Sequence, residues 1–214
     1  PVLVQAAVAQ AQFESIHPFT DGNGRIGRAL INTILRRRGV TSLVVVPLAS
    51  ALVAKREVYF EVLNAYRHGD LGPIIRAFAR ASFTSAQESE ISATNLEQMP
   101  GQWREIYREK TGRTPRAGSA AAKILDLLPS LPFFTTEQME DNLGGATSSV
   151  YGAIEKLVEV GILRPLTDRK RNQVWCSGHI IDELEDLGVR IAALTVNDPM
   201  WRSIQRQAAA ALTE

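Results

Sequence analysis

The chain has 214 residues, 45% of them hydrophobic and 22% charged, with a formal net charge of +1 at pH 7. This is enough apolar material for one large or two modest buried cores, and so small a net charge excludes a global field for nucleic acid or anionic membrane. No apolar run reaches the ~18 residues of a membrane span, and a single cysteine, Cys176, excludes an internal disulfide and fits a reducing cytoplasm.

Helical periodicity dominates the chain. Residues 2–16 read as a helix with Val2, Ala6, Ala9, Phe13 and Ile16 on one face. Pro18 disfavours helical geometry at the residue before it, so the helix stops near His17. The start lacks the basic stretch of a signal peptide; Pro1 has no methionine before it and residues 2–16 already read as a core helix, so the chain is expected to be a fragment of a longer protein. A second helix is predicted over 25–38, apolar at Ile26, Ala29, Leu30, Ile34 and Leu35, and stopped by Gly39. A short apolar run at 43–46 ends at Pro47. Helices are then predicted over 50–67, 71–92 and, after a break at Pro100-Gly101, 102–110. The stretch 111–118 mixes glycine, proline and charge, which is linker composition. Beyond it come helices over 120–128, 136–143 and 148–160, strands at 162–165 and 173–176, and helices over 180–194 and 199–212. Asp198 caps the last of these and Pro199 sits at its first position.

The chemistry is concentrated in His17-Pro18-Phe19-Thr20-Asp21-Gly22-Asn23-Gly24-Arg25-Ile26-Gly27-Arg28. Gly22 and Gly24 allow positive φ and close approach of a ligand just before an apolar helix. The first N–H groups of that helix have no internal partners and sit at its positive dipole end, so the segment suits a phosphate. Arg25 and Arg28 share one face of the first turn, where two cations oppose the dipole unless a polyanion lies between them. Asp21 places one carboxylate at the rim, a donor set that Mg²⁺ accepts. His17, with an unperturbed pKa of about 6.5, can take a proton near neutral pH. Each part alone has a plainer reading: a helix-end histidine, a tight turn, solvated arginines. Their conjunction within 17–28 points to a phosphoryl-type site.

The segment resembles the signature of the Fic (filamentation induced by cAMP) family, His-x-Phe-x-Asp/Glu-Gly-Asn-Gly-Arg-x-x-Arg, at every fixed position, and a general similarity runs over residues 2–85. The resemblance implies a protein adenylyltransferase moving AMP from ATP to a Ser, Thr or Tyr hydroxyl of a target protein, with removal of AMP as a further expectation. It makes His17 the general base and Asp21 the holder of Mg²⁺. It assigns Gly22, Asn23, Gly24, Arg25, Ile26, Gly27 and Arg28 to the nucleotide, with Phe19 as an anchor. Relatives that lose these glycines act as phosphotransferases, so the intact Gly22-Asn23-Gly24-Arg25 favours AMP transfer. The run 56–70 resembles the next helix of the family, which puts Tyr59 and Arg67 near the adenosine. The family's inhibitory Ser/Thr-x-x-x-Glu-Gly/Asn motif has only a partial echo at Thr84–Glu88, where Ser89 follows, and this echo is read as chance. The family's flap and many of its inhibitory helices lie upstream of the signature, so the fragment alone is expected to be a poor enzyme.

The expected architecture is therefore mainly α. A Fic-type helical domain, incomplete at its N-terminus, covers 1–111, with a linker at 112–118. A winged helix-turn-helix with a small β-hairpin covers 119–178, and C-terminal helices cover 179–214. In the winged helix, 148–160 would be the recognition helix, and Arg164, Arg169, Lys170 and Arg171 could meet phosphates. The recognition helix carries Glu155, Lys156 and Glu159, a net acidic set that suits DNA poorly. Protein interaction or dimerisation is favoured over DNA binding, and a winged-helix regulator with a secondary Fic segment is the alternative function. The expected setting is cytoplasmic, with no membrane partner and homo-oligomerisation left open. A transferase using another diphosphate donor is the third reading.

Overall fold

The computed structural model describes residues 1–42, 44–144, 147–167 and 173–213. The elements in chain order are α1 (Val2–Ile16), α2 (Asn23–Arg37), α3 (Leu48–Ala54), α4 (Arg56–Arg67), α5 (Gly72–Thr111), α6 (Ala120–Leu127), β1 (Phe133–Thr135), α7 (Thr136–Leu143), α8 (Thr147–Glu159), β2 (Leu163–Pro165), β3 (Val174–Ser177), α9 (Gly178–Asn197) and α10 (Pro199–Ala210). The chain forms two compact units: Pro1–Glu90 with the chain from Leu187 onward, and Ile91–Asp186. These limits fall inside α5 and α9. They do not coincide with the boundaries expected at 111/112 and 178/179.

Among its described residues the first unit contains helices and no strand. Its core joins Ala6, Ala7 and Ala11 of α1 and Ile31 and Leu35 of α2 to Val62 and Leu63 of α4, Phe78 of α5, and Ile191, Trp201 and Ile204 from the returning chain. The buried face of α1 is Ala6, Ala7, Gln10 and Ala11, while Ile16 is 63% exposed. The predicted face is thus rotated, because closeness to α2 selects the smallest side chains rather than the most apolar. In α2 the buried positions are Asn23, Gly27, Ile31 and Leu35, and Ile26 points outward. The single helix expected over 50–67 is two, separated at Lys55, whose φ of −119° and ψ of 50° are not helical.

Two ion pairs cross from α5 to the returning chain within this unit. Arg80 pairs with Asp198, the residue that also caps α10 by accepting from Met200 N, and Arg190 Nε donates to Glu88 Oε2 at 2.9 Å. The side chain of Glu88 is 8% exposed and that of Arg190 31%. Glu88 is therefore paired with α9.

In the second unit the break predicted at Pro100-Gly101 is absent, and α5 runs through it. A proline inside a helix removes one backbone bond and kinks the rod. Here Met99 on one side and Trp103 and Tyr107 on the other are buried in the same core, which holds both turns in place. Thr135 caps α7 in a capping box with Gln138. A third strand accompanies the two that were predicted: β3 lies between β1 and β2, antiparallel to both, with Phe134 opposite Trp175 and Arg164 opposite Cys176. Cys176, in β3, is fully buried. The expected turn at Gly144-Gly145 and the basic wing residues Arg169, Lys170 and Arg171 lie partly or wholly outside the described residues. No helix among the described residues is long and apolar enough to cross a membrane.

Replacing Arg190 by Leu leaves Glu88 without this partner in a buried position. The expected loss is about 2–3 kcal/mol of unfolding free energy, measured by urea titration. Adding Glu88→Gln to Arg190→Leu should recover part of that loss, because the charge left behind is then gone.

Candidate functional site

The site is built where α1 hands over to α2. His17 ends α1 in the left-handed conformation, φ 50° and ψ 57°, with its N–H donating to Phe13 O at 2.9 Å. Among the described residues it is the non-glycine with positive φ, a conformation that few residues adopt without a reason in their surroundings. The chain then turns back through Pro18–Asp21, and Gly22 starts α2 from the left-handed region at φ 83°. Phe19 packs against Phe13 with ring centroids 6.3 Å apart.

Asn23 braces this loop. Its Nδ2 donates to Phe19 O at 2.6 Å and its Oδ1 accepts from Phe19 N at 3.0 Å, and the residue is 3% exposed. Both ends of the amide engage the backbone of one residue, Phe19, so the side chain shapes the loop. Asp21 accepts from Gly22 N through Oδ1 at 2.6 Å and pairs with Arg25 Nη2 through Oδ2 at 3.2 Å. The Asp21 and Arg25 side chains are 91% and 75% exposed, so the pair is worth only about 0.2–1 kcal/mol and is easily exchanged. Gly22 is required by its positive φ of 83°, while a Cβ on Gly24 would lie 3.2 Å from Arg28 Nη1, a tight contact that this arginine would have to relieve.

His17, Thr20, Asp21, Gly22, Asn23, Gly24, Arg25 and Arg28 together line an open concavity of about 310 Å³. Two guanidinium groups and the N-terminus of α2 meet one carboxylate there, an excess of positive potential suited to a polyanion. Among the described residues no group of three or more His, Cys, Asp and Glu side chains could hold a metal. A cation here would therefore rest on the Asp21 carboxylate, with phosphate and water oxygens completing its shell, which Mg²⁺ accepts.

Four residues expected at the nucleotide lie outside this concavity. Ile26 is 40% exposed. Gly27 faces α1, where a Cβ would come within 2.6 Å of Gln10 Oε1 and 2.7 Å of its Nε2, so this glycine serves helix packing. Tyr59 lies behind the loop, where its hydroxyl accepts from Gln10 Nε2 at 3.1 Å. Burial pushes its pKa up to about 12, with Glu14 adding to the rise and Gln10 and Arg28 opposing it, so Tyr59 is a neutral phenol at neutral pH. Arg67 joins the end of α4 to the end of α1: Nη2 donates to Glu14 O at 3.3 Å, Nε to Ser15 Oγ at 3.4 Å and Nη1 to Asn64 Oδ1 at 3.0 Å.

Sequence reasoning missed Gln10 and Glu14. Gln10 is 2% exposed, and its Nε2 donates both to Tyr59 and to Glu14 Oε1, the latter at 3.0 Å. The available signal was a glutamine among buried alanines, four residues before a glutamate and seven before the histidine.

Gly27→Ala would drive its methyl into the Gln10 amide, which is buried and held by two hydrogen bonds. The variant should lose about 1–3 kcal/mol of stability in denaturant unfolding, whereas Gly39→Ala, with open space around its Cβ, should lose only the strain of its positive φ.

The sequence model of the Fic/DOC family matches residues 1–35. A protein adenylyltransferase Fic of Nematostella vectensis is 42% identical over 77 residues, 36% of this chain and 17% of that protein. The protein adenylyltransferase fic-1 of Caenorhabditis elegans is 40% identical over 83 residues, 39% of this chain and 15% of its own length. A protein adenylyltransferase Fic of Aedes aegypti is 36% identical over 74 residues, 35% of this chain and 14% of that protein. The chain therefore spans less than a fifth of the length of these relatives. The loop from His17 to Arg28, with α1 and most of α2, lies in the stretch that matches the Fic/DOC family model and these adenylyltransferases.

Proposed function

We propose that this chain carries the nucleotide-handling site of a protein adenylyltransferase, which moves AMP from ATP to a Ser, Thr or Tyr hydroxyl of a target protein. The observation that carries it is the concavity itself, where His17 stands beside two guanidinium groups at the glycine-opened start of α2. His17 takes the proton of the target hydroxyl, whose oxygen forms a bond to the α-phosphorus. The bond from that phosphorus to the bridging oxygen breaks, and pyrophosphate leaves with the electron pair. Arg28 and Arg25 balance charge on the phosphate oxygens, and the backbone N–H groups at Gly22–Gly24 supply further donors. Asp21 is free to exchange Arg25 for Mg²⁺, which when bound would neutralise charge on the α- and β-phosphates. Tyr59 and Arg67 act from behind, one through Gln10 and the other through the backbone before His17. Removal of AMP by the reverse use of the same groups belongs to the same proposal, as does a cytoplasmic setting, favoured by the lone reduced cysteine.

For the second unit we propose a winged helix, supported by its order α6–β1–α7–α8–β2–β3 and its antiparallel sheet. The exposed face of α8 holds Tyr151, Glu155 and Glu159, with Lys156 paired to Glu159 at 2.7 Å. That charge pattern favours a protein partner over DNA.

Incubating the full-length protein with ATP labelled at the α-phosphate, Mg²⁺ and a cell lysate should label protein bands. His17→Ala should lower labelling about 100-fold or more, and Arg28→Ala should weaken ATP binding roughly tenfold. Absent bands, or bands that persist in His17→Ala, would sink the transferase reading; unchanged ATP affinity in Arg28→Ala would remove Arg28 from its role.

A further inference from the structure

Gln10, Glu14 and His17 stand at successive turns of one face of α1, a spacing that brings each side chain against the next. Glu14 is an unusual member of this row. Its side chain is 14% exposed, although a carboxylate taken from water needs partners to repay its hydration. One partner is Gln10 Nε2, which donates to Oε1 at 3.0 Å. Gln10 is itself seated by the missing Cβ of Gly27 and by the Tyr59 hydroxyl. The backbone of Glu14 is tied as well, since its carbonyl accepts from Arg67. The second carboxylate oxygen, Oε2, has no comparable holder inside α1 and faces His17 Nδ1 at 4.0 Å. His17 is the reverse case: its backbone is locked in the left-handed conformation while its side chain is 62% exposed.

We infer that Glu14 is the positioning residue of this site, accepting a hydrogen bond from Nδ1–H of His17 and so reserving the Nε2 lone pair for the incoming hydroxyl. The inference rests on His17 being the base, as proposed above. At 4.0 Å the contact is longer than a hydrogen bond. Pairs of this kind are often long before substrate arrives and tighten with it. A neutral imidazole carries its proton on one nitrogen only, and the partner of one nitrogen decides what the other can do. An exposed imidazole with no oriented acceptor would divide its population between tautomers and rotamers. A half-buried carboxylate held by Gln10 removes that freedom through a group outside the nucleotide's own contacts.

The test combines imidazole ¹⁵N NMR of His17 with transfer kinetics. In the unaltered chain the neutral ring should be mainly the Nδ1–H tautomer; a mainly Nε2–H ring overturns the inference without any variant. In Glu14→Gln the new amide can donate to Nδ1, so the Nδ1–H preference should be lost. The kcat for AMP transfer should fall about tenfold or more, a tenth to a thousandth of what a general base supplies, with KM for ATP within about twofold. A folded Glu14→Gln chain that keeps the tautomer overturns the inference, whether or not its kcat falls. If Glu14→Gln fails to fold by circular dichroism, Gln10→Leu, which frees the carboxylate while keeping it, should broaden the tautomer population. Should the unaltered chain transfer no AMP, the transferase proposal fails alone, and the tautomer still decides the role of Glu14.

Discussion

The approach of α1 to α2 at Gly27 is the constraint on which the site depends. With no Cβ at that position, the amide of Gln10 fits against the backbone of α2 at a distance that any side chain would forbid. Alanines at 6, 7 and 11 keep the rest of that interface equally thin. Two helices held this close, joined by the short loop 17–22, place the end of one beside the beginning of the other. His17 closes α1 with its carbonyl-rich end, and Gly22 opens α2 with its N–H-rich end. The imidazole of His17 and the glycine-opened start of α2 become neighbours through helix packing alone.

Within that frame the loop separates shape from charge. Shape is set by Asn23, whose amide bonds both the N–H and the carbonyl of Phe19, and by the contact of Phe19 with Phe13. Charge is set by Asp21, Arg25 and Arg28, all near the rim. The first two are paired but well exposed, so exchanging Arg25 for another cation costs little. Such a division keeps donors in place before a ligand arrives, and preorganised donors need no rearrangement as charge develops.

Much of this could be read from the residues. The glycine–asparagine–glycine turn, both arginines, and the carboxylate before them announced an anion site, and the structure gathers them around one concavity. Periodicity failed where size outweighed apolarity: it chose Ile16 for the inner face of α1, while the interface takes Gln10 and the alanines. It also broke α5 at Pro100, because propensity sees a lost hydrogen bond but not Trp103 and Tyr107 anchoring the following turns in the core. The strand Phe133–Thr135 is too short for alternation to register, and it exists because Phe134 and its neighbours pair with β3. Gln10 and Glu14 went unnoticed because no local pattern shows that a polar pair on a helix face points inward.

The support of the site also extends far along the chain. Tyr59 and Arg67 both belong to α4, one reaching Gln10 and the other the backbone before His17. The back of α4 is covered by α10, where Gln205 Nε2 donates to Glu61 Oε1 at 2.9 Å and Trp201 and Ile204 complete the core. Asp198, at the start of α10, is held in turn by Arg80 of α5. The helix that steadies Gln10, and through it Glu14, is thus itself held by residues that follow the whole second unit in sequence. Local chemistry at 17–28 is written in one motif, but the rigidity that makes it usable is a property of the entire first unit.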